Sequence, residues 1–323
     1  LSKFEKENIE QLKKSNLNIK LYAILENKEK ENILQLIFRR HRETNIIRVL
    51  EIIFFQILFK IEKFILGFFK PQLIDLDKKF LIQENIFYKI IRVKPFLSKY
   101  KMFSEYDEND VNKVLNEKLD IILRGNVSNI FRGDMLKISK FGIISFHHGD
   151  NSWNRGGPAG FWEVVLRKPA TGFMIQILNE NLNNGKIIFK GEFATKRTFS
   201  LNLYNLLCES NDFISDSIIK ILNEQKVNII NSPTNIKKKI FKSPNFYFIF
   251  KYIFLSFKLI FNLFFQKFIL RKSQRWEVSY SRSNFEKTNF SNTKKIKNLP
   301  GRFFADPFVI KSSEKHYVFV EDY

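Results

Sequence analysis

The sequence predicts an α/β fold: a mostly parallel sheet with helices on both faces, followed by a short all-β piece. Three observations carry this expectation. Apolar runs of strand length alternate with stretches of helical period through the first two-thirds of the chain, the order that builds a sheet covered by its own crossovers. Ten of the twelve glycines fall between Gly125 and Gly191, so tight turns and close approaches of the backbone are concentrated in one region. Beyond Arg275 the pattern changes to short alternating runs separated by turn residues.

Taken in order, Ser2–Lys14 reads as an amphipathic helix with Phe4, Ile9 and Leu12 near one face, and Asn18–Leu25 as a strand. Asn45–Lys70 is apolar and aromatic, but Glu51, Lys60, Glu62 and Lys63 interrupt it before it reaches the ~20 residues of a membrane span. It reads as one or two helices inserted at about residues 45–70. Ile86–Val93 is a strand, Asp107–Glu117 a helix opened by capping acids, and Leu119–Leu123 a strand. Phe141–Phe146 is a buried strand, and Pro158 is placed to start a helix running to Arg167. Gly172–Leu178 and Lys186–Phe193 flank an Asn183-Asn184-Gly185 turn, a hairpin signal. Phe199–Cys208 and Ile214–Glu224 read as helices that close a first domain spanning residues 1–230.

Residues 231–274 follow as a linker whose core is an aromatic amphipathic helix. Lys251, Lys258, Asn262 and Gln266 form one polar stripe at 3.6 residues per turn. Such a helix lies in a membrane interface through residues 244–270, or packs beneath another domain. Residues 275–323 hold a final hairpin, with strands at Val309–Lys311 and Tyr317–Glu321.

The chain has 323 residues and a formal net charge of +21. That charge raises the question of nucleic acid. Lys and Arg are scattered, however, with no tract longer than Lys237-Lys238-Lys239, and Ile, Asn, Lys and Phe are enriched together. The pattern fits a compositional bias better than a binding footprint, and no nucleic-acid partner is expected. The single cysteine, Cys208, excludes a disulfide within the chain and a cysteine-based metal site. No metal is expected. The first residues are charged, so no signal peptide is read there. The expected location is the cytoplasm, with room for contact at the inner membrane face.

The candidate site lies in Gly142–Trp162. The apolar run ending at Phe146 delivers His147 and His148 at a strand's C-terminal end, where ligands sit in open α/β sheets. Gly149-Asp150-Asn151-Ser152 and Arg155-Gly156-Gly157-Pro158 follow. A cleft with free backbone N–H groups would form there. The plainer alternative packs one histidine in the core and leaves the other in solvent.

Leu119–Lys190 resembles the catalytic domain of formyltransferases, the family of methionyl-tRNA, glycinamide ribonucleotide and sugar N-formyltransferases. The matching pieces are Ser145-Phe146-His147, Arg155-Gly156-Gly157-Pro158, Gly160-Phe161-Trp162, Thr171-Gly172 to Ile177, and Leu182-Asn183-Asn184-Gly185. The resemblance implies a Rossmann-like sheet, 10-formyltetrahydrofolate as cofactor, and an amine as acceptor. The family's Asn, His and Asp fall on Ser145, His147 and Asn183, so only the histidine is kept. Asp150 is the nearest carboxylate that could stand in for the lost one. Arg124, Gly125 and Asn126 would line the folate pocket; His148, Asn151, Arg155, Gly156 and Gly157 would meet the acceptor. The family's glycine-bearing first strand has no counterpart, which implies a truncated N-terminus.

Phe304-Ala305-Asp306-Pro307-Phe308, with Val318-Phe319-Val320-Glu321, resembles the first blade of five-bladed propellers in furanosidase-like glycosidases. There the matching aspartate is catalytic; here Asp306 is equally well read as a turn cap beside proline. An amino sugar of a surface glycan, presented as a sugar nucleotide, is the acceptor this suggests. The alternative function is a binding module of the same fold with an eroded triad.

Overall fold

A computed structural model describes residues 2–27, 45–81, 84–97, 103–125, 130–150, 156–179, 185–230, 240–270, 276–282 and 293–323. They form two compact units, Leu1–Ser256 and Phe257–Tyr323.

The first unit is α/β. Helix α1 (Lys3–Lys14) opens with a capping box in which Ser2 and Glu5 satisfy one another's backbone N–H groups. Strand β1 (Tyr22–Glu26) pairs in parallel with β2 (Lys89–Val93), and helix α2 (Ile46–Gly67) lies between them in sequence. Short strands β3 (Phe96–Leu97), β4 (Phe103–Glu105) and β6 (Ile130–Phe131) form a three-stranded sheet, with helix α3 (Glu108–Leu115) after β4. The largest sheet has the order β5-β7-β8-β9: Ile122–Leu123, Ile143–His147, Ala170–Ile177 and Lys186–Ala194.

Within that sheet β5 and β7 are parallel, whereas β7–β8 and β8–β9 are antiparallel. The sheet is therefore mixed, not mostly parallel. Between β7 and β8 stands only the five-residue helix α4 (Phe161–Val165), so no long crossover returns the chain to run beside β7 in the same sense. Alternation sorts the side chains of β7. Ile144 and Phe146 face the helices, and Ile144 joins Ile175, Ile214 and Ile218 in a buried cluster. Phe146 stacks on Phe173, 5.5 Å between ring centres, and Phe173 stacks in turn on Phe189 and Phe193. Gly191 makes room for this: a Cβ there would stand 2.6 Å from the Phe173 ring.

Three helices depart from expectation. Helix α4 starts at Phe161, not Pro158, because Gly160 adopts a left-handed φ of 75° at its N-cap. Phe199–Glu224 is one unbroken helix, α5, rather than two. Ser210 stays helical by donating to Leu206 O, and Asn211 accepts from Asn8 Nδ2 of α1 at 2.7 Å. The residues that read as a break are thus the seam with α1. The third, α6 (Phe246–Phe264), ends in a π-helical turn, Phe265–Ile269.

Helices α2 and α6 are tied to this core by polar contacts as well as by rings. Thr198, the N-cap of α5, makes no side-chain cap. Its role falls to Glu62 of α2, which accepts from Ser200 N at 2.7 Å, and to Tyr252 of α6, whose hydroxyl accepts from Phe199 N at 2.8 Å and donates to Glu62. Around them Phe55, Phe161, Trp162, Phe199, Ile249 and Tyr252 form a buried aromatic cluster.

In the second unit β10 (Phe304–Ser312) and β11 (Lys315–Asp322) form the expected hairpin. Asp306 sits at its bulge with a φ of 46°. Residues of both faces are exposed, Phe308, Val309, Val318 and Phe319 among them.

Candidate active site

Strand β7 positions the site by alternation. Ile143, Ser145 and His147 share one face, opposite Phe146. Ile143 on that face lines a cavity of about 300 Å³ with Leu123, Arg124, Gly125, Phe131 and Met135. His147 ends the strand, paired with Met174 of β8, and Ser145 is buried opposite Gln176. Arg124 N donates to Ile144 O at 2.8 Å, so the C-terminal ends of β5 and β7 lie side by side. The structure thus brings Arg124 and Gly125 to the sheet edge that carries His147.

Two further residues of the cavity escaped the sequence reading. Tyr106 donates to Glu26 at 2.5 Å, and both line the cavity beside Arg124. Burial, then the bond to Glu26, pushes the Tyr106 hydroxyl well above its ordinary range. Burial pulls the Arg124 guanidinium down, against the attraction of Glu26. Its guanidinium also lies 5.4 Å from the centre of the Phe131 ring. Glu26 closes a strand whose end was read one residue short, and Tyr106 precedes a helix cap. The pairing of β1 with β2 places Glu26, that of β4 with β3 and β6 places Tyr106, and only the tertiary fold brings the two together.

The two neighbouring histidines leave the strand differently. The His148 ring lies 4.2 Å from Phe146 on the helix-covered side. Burial, and secondarily the adjacent His147, lowers its pKa to about 3. Its ring packs against Phe146 while remaining half-buried, as His147 is.

Asp150 forms an ion pair with Lys190 of β9 at 2.9 Å. The pair reaches over Gly172, where a Cβ would stand 2.9 Å from Asp150 Cβ. Gly156 has a packing reason of its own, since a Cβ there would come within 1.8 Å of Phe241 O. Gly157 O accepts from the Trp162 indole at 3.2 Å. Asn126, Asn151, Arg155 and Asn183 lie outside the described residues. Among the described residues no group of three or more His, Cys, Asp or Glu could hold a metal ion.

A curated methionyl-tRNA formyltransferase from Bacillus velezensis is 28% identical over 130 residues, 40% of this chain and 38% of the relative. Over that stretch the chain is similar to a formyltransferase. It spans well under half of that relative's length. No family model matches the sequence. A sugar N-formyltransferase from Shewanella sp FDAARGOS_354 is 16% identical, with 67% of this chain and 75% of that chain covered and a TM-score of 0.36. The methionyl-tRNA formyltransferase of Clostridium thermocellum is 15% identical, with 73% and 88% covered and a TM-score of 0.32.

Proposed function

We propose that this protein transfers a formyl group from 10-formyltetrahydrofolate to an amine, with an amino-sugar nucleotide as acceptor. The observation that carries the reading is His147 at the C-terminal end of β7, on the same strand face as Ile143 of the Arg124 cavity. An amine attacking the formyl carbon sheds a proton as the tetrahedral adduct forms, and the departing folate nitrogen takes one up. An imidazole at that edge can accept the first and return the second. Ser145, two residues back on the same face, is the hydroxyl available to steady the developing oxyanion. The cavity suits the folate head group: apolar walls with one carboxylate and one guanidinium match a flat heterocycle bearing donors and acceptors on its edge. The sugar acceptor rests on the likeness of the C-terminal segment to glycan-acting propellers, and the domain division at residues 230 and 274 belongs to the same reading.

The experiment supplies 10-formyltetrahydrofolate with an amino-sugar nucleotide or methionyl-tRNA, and measures tetrahydrofolate binding by calorimetry. His147→Ala should lower transfer by roughly 10²-fold or more while folate still binds. Unchanged turnover in that variant, or no folate binding by the parent, would overturn the proposal. Transfer to methionyl-tRNA alone would move the acceptor from sugar to tRNA.

The Asp150–Lys190 ion pair favours a second reading, a binding module of the same fold. A carboxylate held by a lysine is less free to orient an imidazole. Folate binding with no transfer to any amine would decide for that reading.

A further inference from the structure

We propose that α2 and the first half of α6 form one preformed apolar face that docks on an anionic membrane surface. Leu50, Ile53, Ile57, Ile61 and Phe64 recur at helical spacing along α2 and are 37–64% exposed. Tyr247, Phe250 and Phe254 of α6 are 57–67% exposed. The two stripes are continuous: the Phe54 ring lies 6.1 Å from Phe246 and 6.2 Å from Phe250. Buried Phe55, Ile249 and Tyr252 hold both helices against the core, so the face exists before anything covers it.

Charge identifies the occupant. Helix α6 contains no acidic residue, and the only two on α2 turn inward. Glu51 accepts from Phe246 N and from Arg48, and Glu62 accepts from Ser200 N and Tyr252. Lys60, by contrast, is exposed beside Ile61 on α2. The outward side of these two helices therefore offers apolar side chains and the exposed Lys60 without a carboxylate, in a chain of net charge +21. That combination is complementary to phosphate headgroups over acyl chains. Neither helix is long and apolar enough to cross a membrane, so the contact is with the surface.

The test is co-sedimentation of the full chain with vesicles of phosphatidylcholine alone or with about one-third phosphatidylglycerol. Binding to the anionic vesicles should exceed binding to the neutral ones by at least tenfold and weaken as salt is raised. Phe64→Glu with Phe254→Glu, neither residue belonging to the buried cluster, should lower binding by at least tenfold. Lys60→Glu should weaken it by less, and with the salt series it carries the test if the double variant fails to fold. No vesicle binding, equal binding to both compositions, or self-association that the same variants abolish in place of vesicle binding would each overturn the proposal.

Discussion

His148 illustrates how a single side chain sets a pH limit. Its folded pKa of about 3 lies below the ordinary histidine value of 6.5. Above that ordinary value the ring is neutral whether the chain is folded or not, so it adds no pH dependence there. As the pH falls from about 6.5 towards 3 the unfolded chain takes up a proton that the folded one refuses, and stability is lost. His148→Leu, which keeps the apolar contact with Phe146, should flatten the fall in melting temperature between pH 6.5 and 4; an unchanged slope would show that the ring is not walled in. Gly191 makes the opposite kind of prediction. Gly191→Ala presses a methyl group into the Phe173 ring, and overpacking of that kind costs about 1–3 kcal/mol, measurable by urea unfolding.

Helix α5 shows what a tertiary context adds to an element. Its core carries the buried Asn202, whose amide donates to Gly160 O at 2.8 Å and to Thr171 Oγ1 at 2.9 Å, while its carbonyl accepts from Lys196 N at 2.8 Å. One side chain thereby joins α5, β8 and the start of α4. Asn202→Ala leaves several of these groups dry and unpaired, and should cost about 2–4 kcal/mol in urea unfolding. Glu62→Gln keeps the shape but removes the charge from the first turn of α5, and should cost about 1 kcal/mol. The strands and helices of this region could be read from periodicity because each buries a regular face. The antiparallel pairing of β8 with β9 was legible from the Asn183-Asn184-Gly185 signal in the sequence between them, and the end of β7 at His147 from the apolar run before it. Asn202, Glu62 and Tyr252 were not, because nothing local distinguishes a polar residue whose partner lies 31 to 138 positions away. Glu26 and Tyr106 were hidden for the same reason. The mixed sense of the large sheet was missed because alternation of strand and helix was read as crossover, and α4 is too short to make one.

For the molecule as a whole, the excess of cations matters more than any one pair. At +21 the folded chain repels itself, and the ion pairs seen at its surface are individually weak. Raising sodium chloride from about 20 mM to about 300 mM shortens the range of that repulsion to a few ångströms and should raise the melting temperature; a fall would mean that ion pairs outweigh repulsion. Register has a consequence of another sort. Gly142, with a φ of 88° and Ile177 against its open side, pins where β7 begins. Since neighbours on a ribbon leave by opposite sides, slipping the strand by a single step would turn Ile144 and Phe146 out of the packed layer and exchange the sides of His147 and His148. A one-residue insertion directly after Gly142, past the pin, should then lower the urea-unfolding midpoint well below that of the same insertion ahead of Gly142, which leaves the register alone.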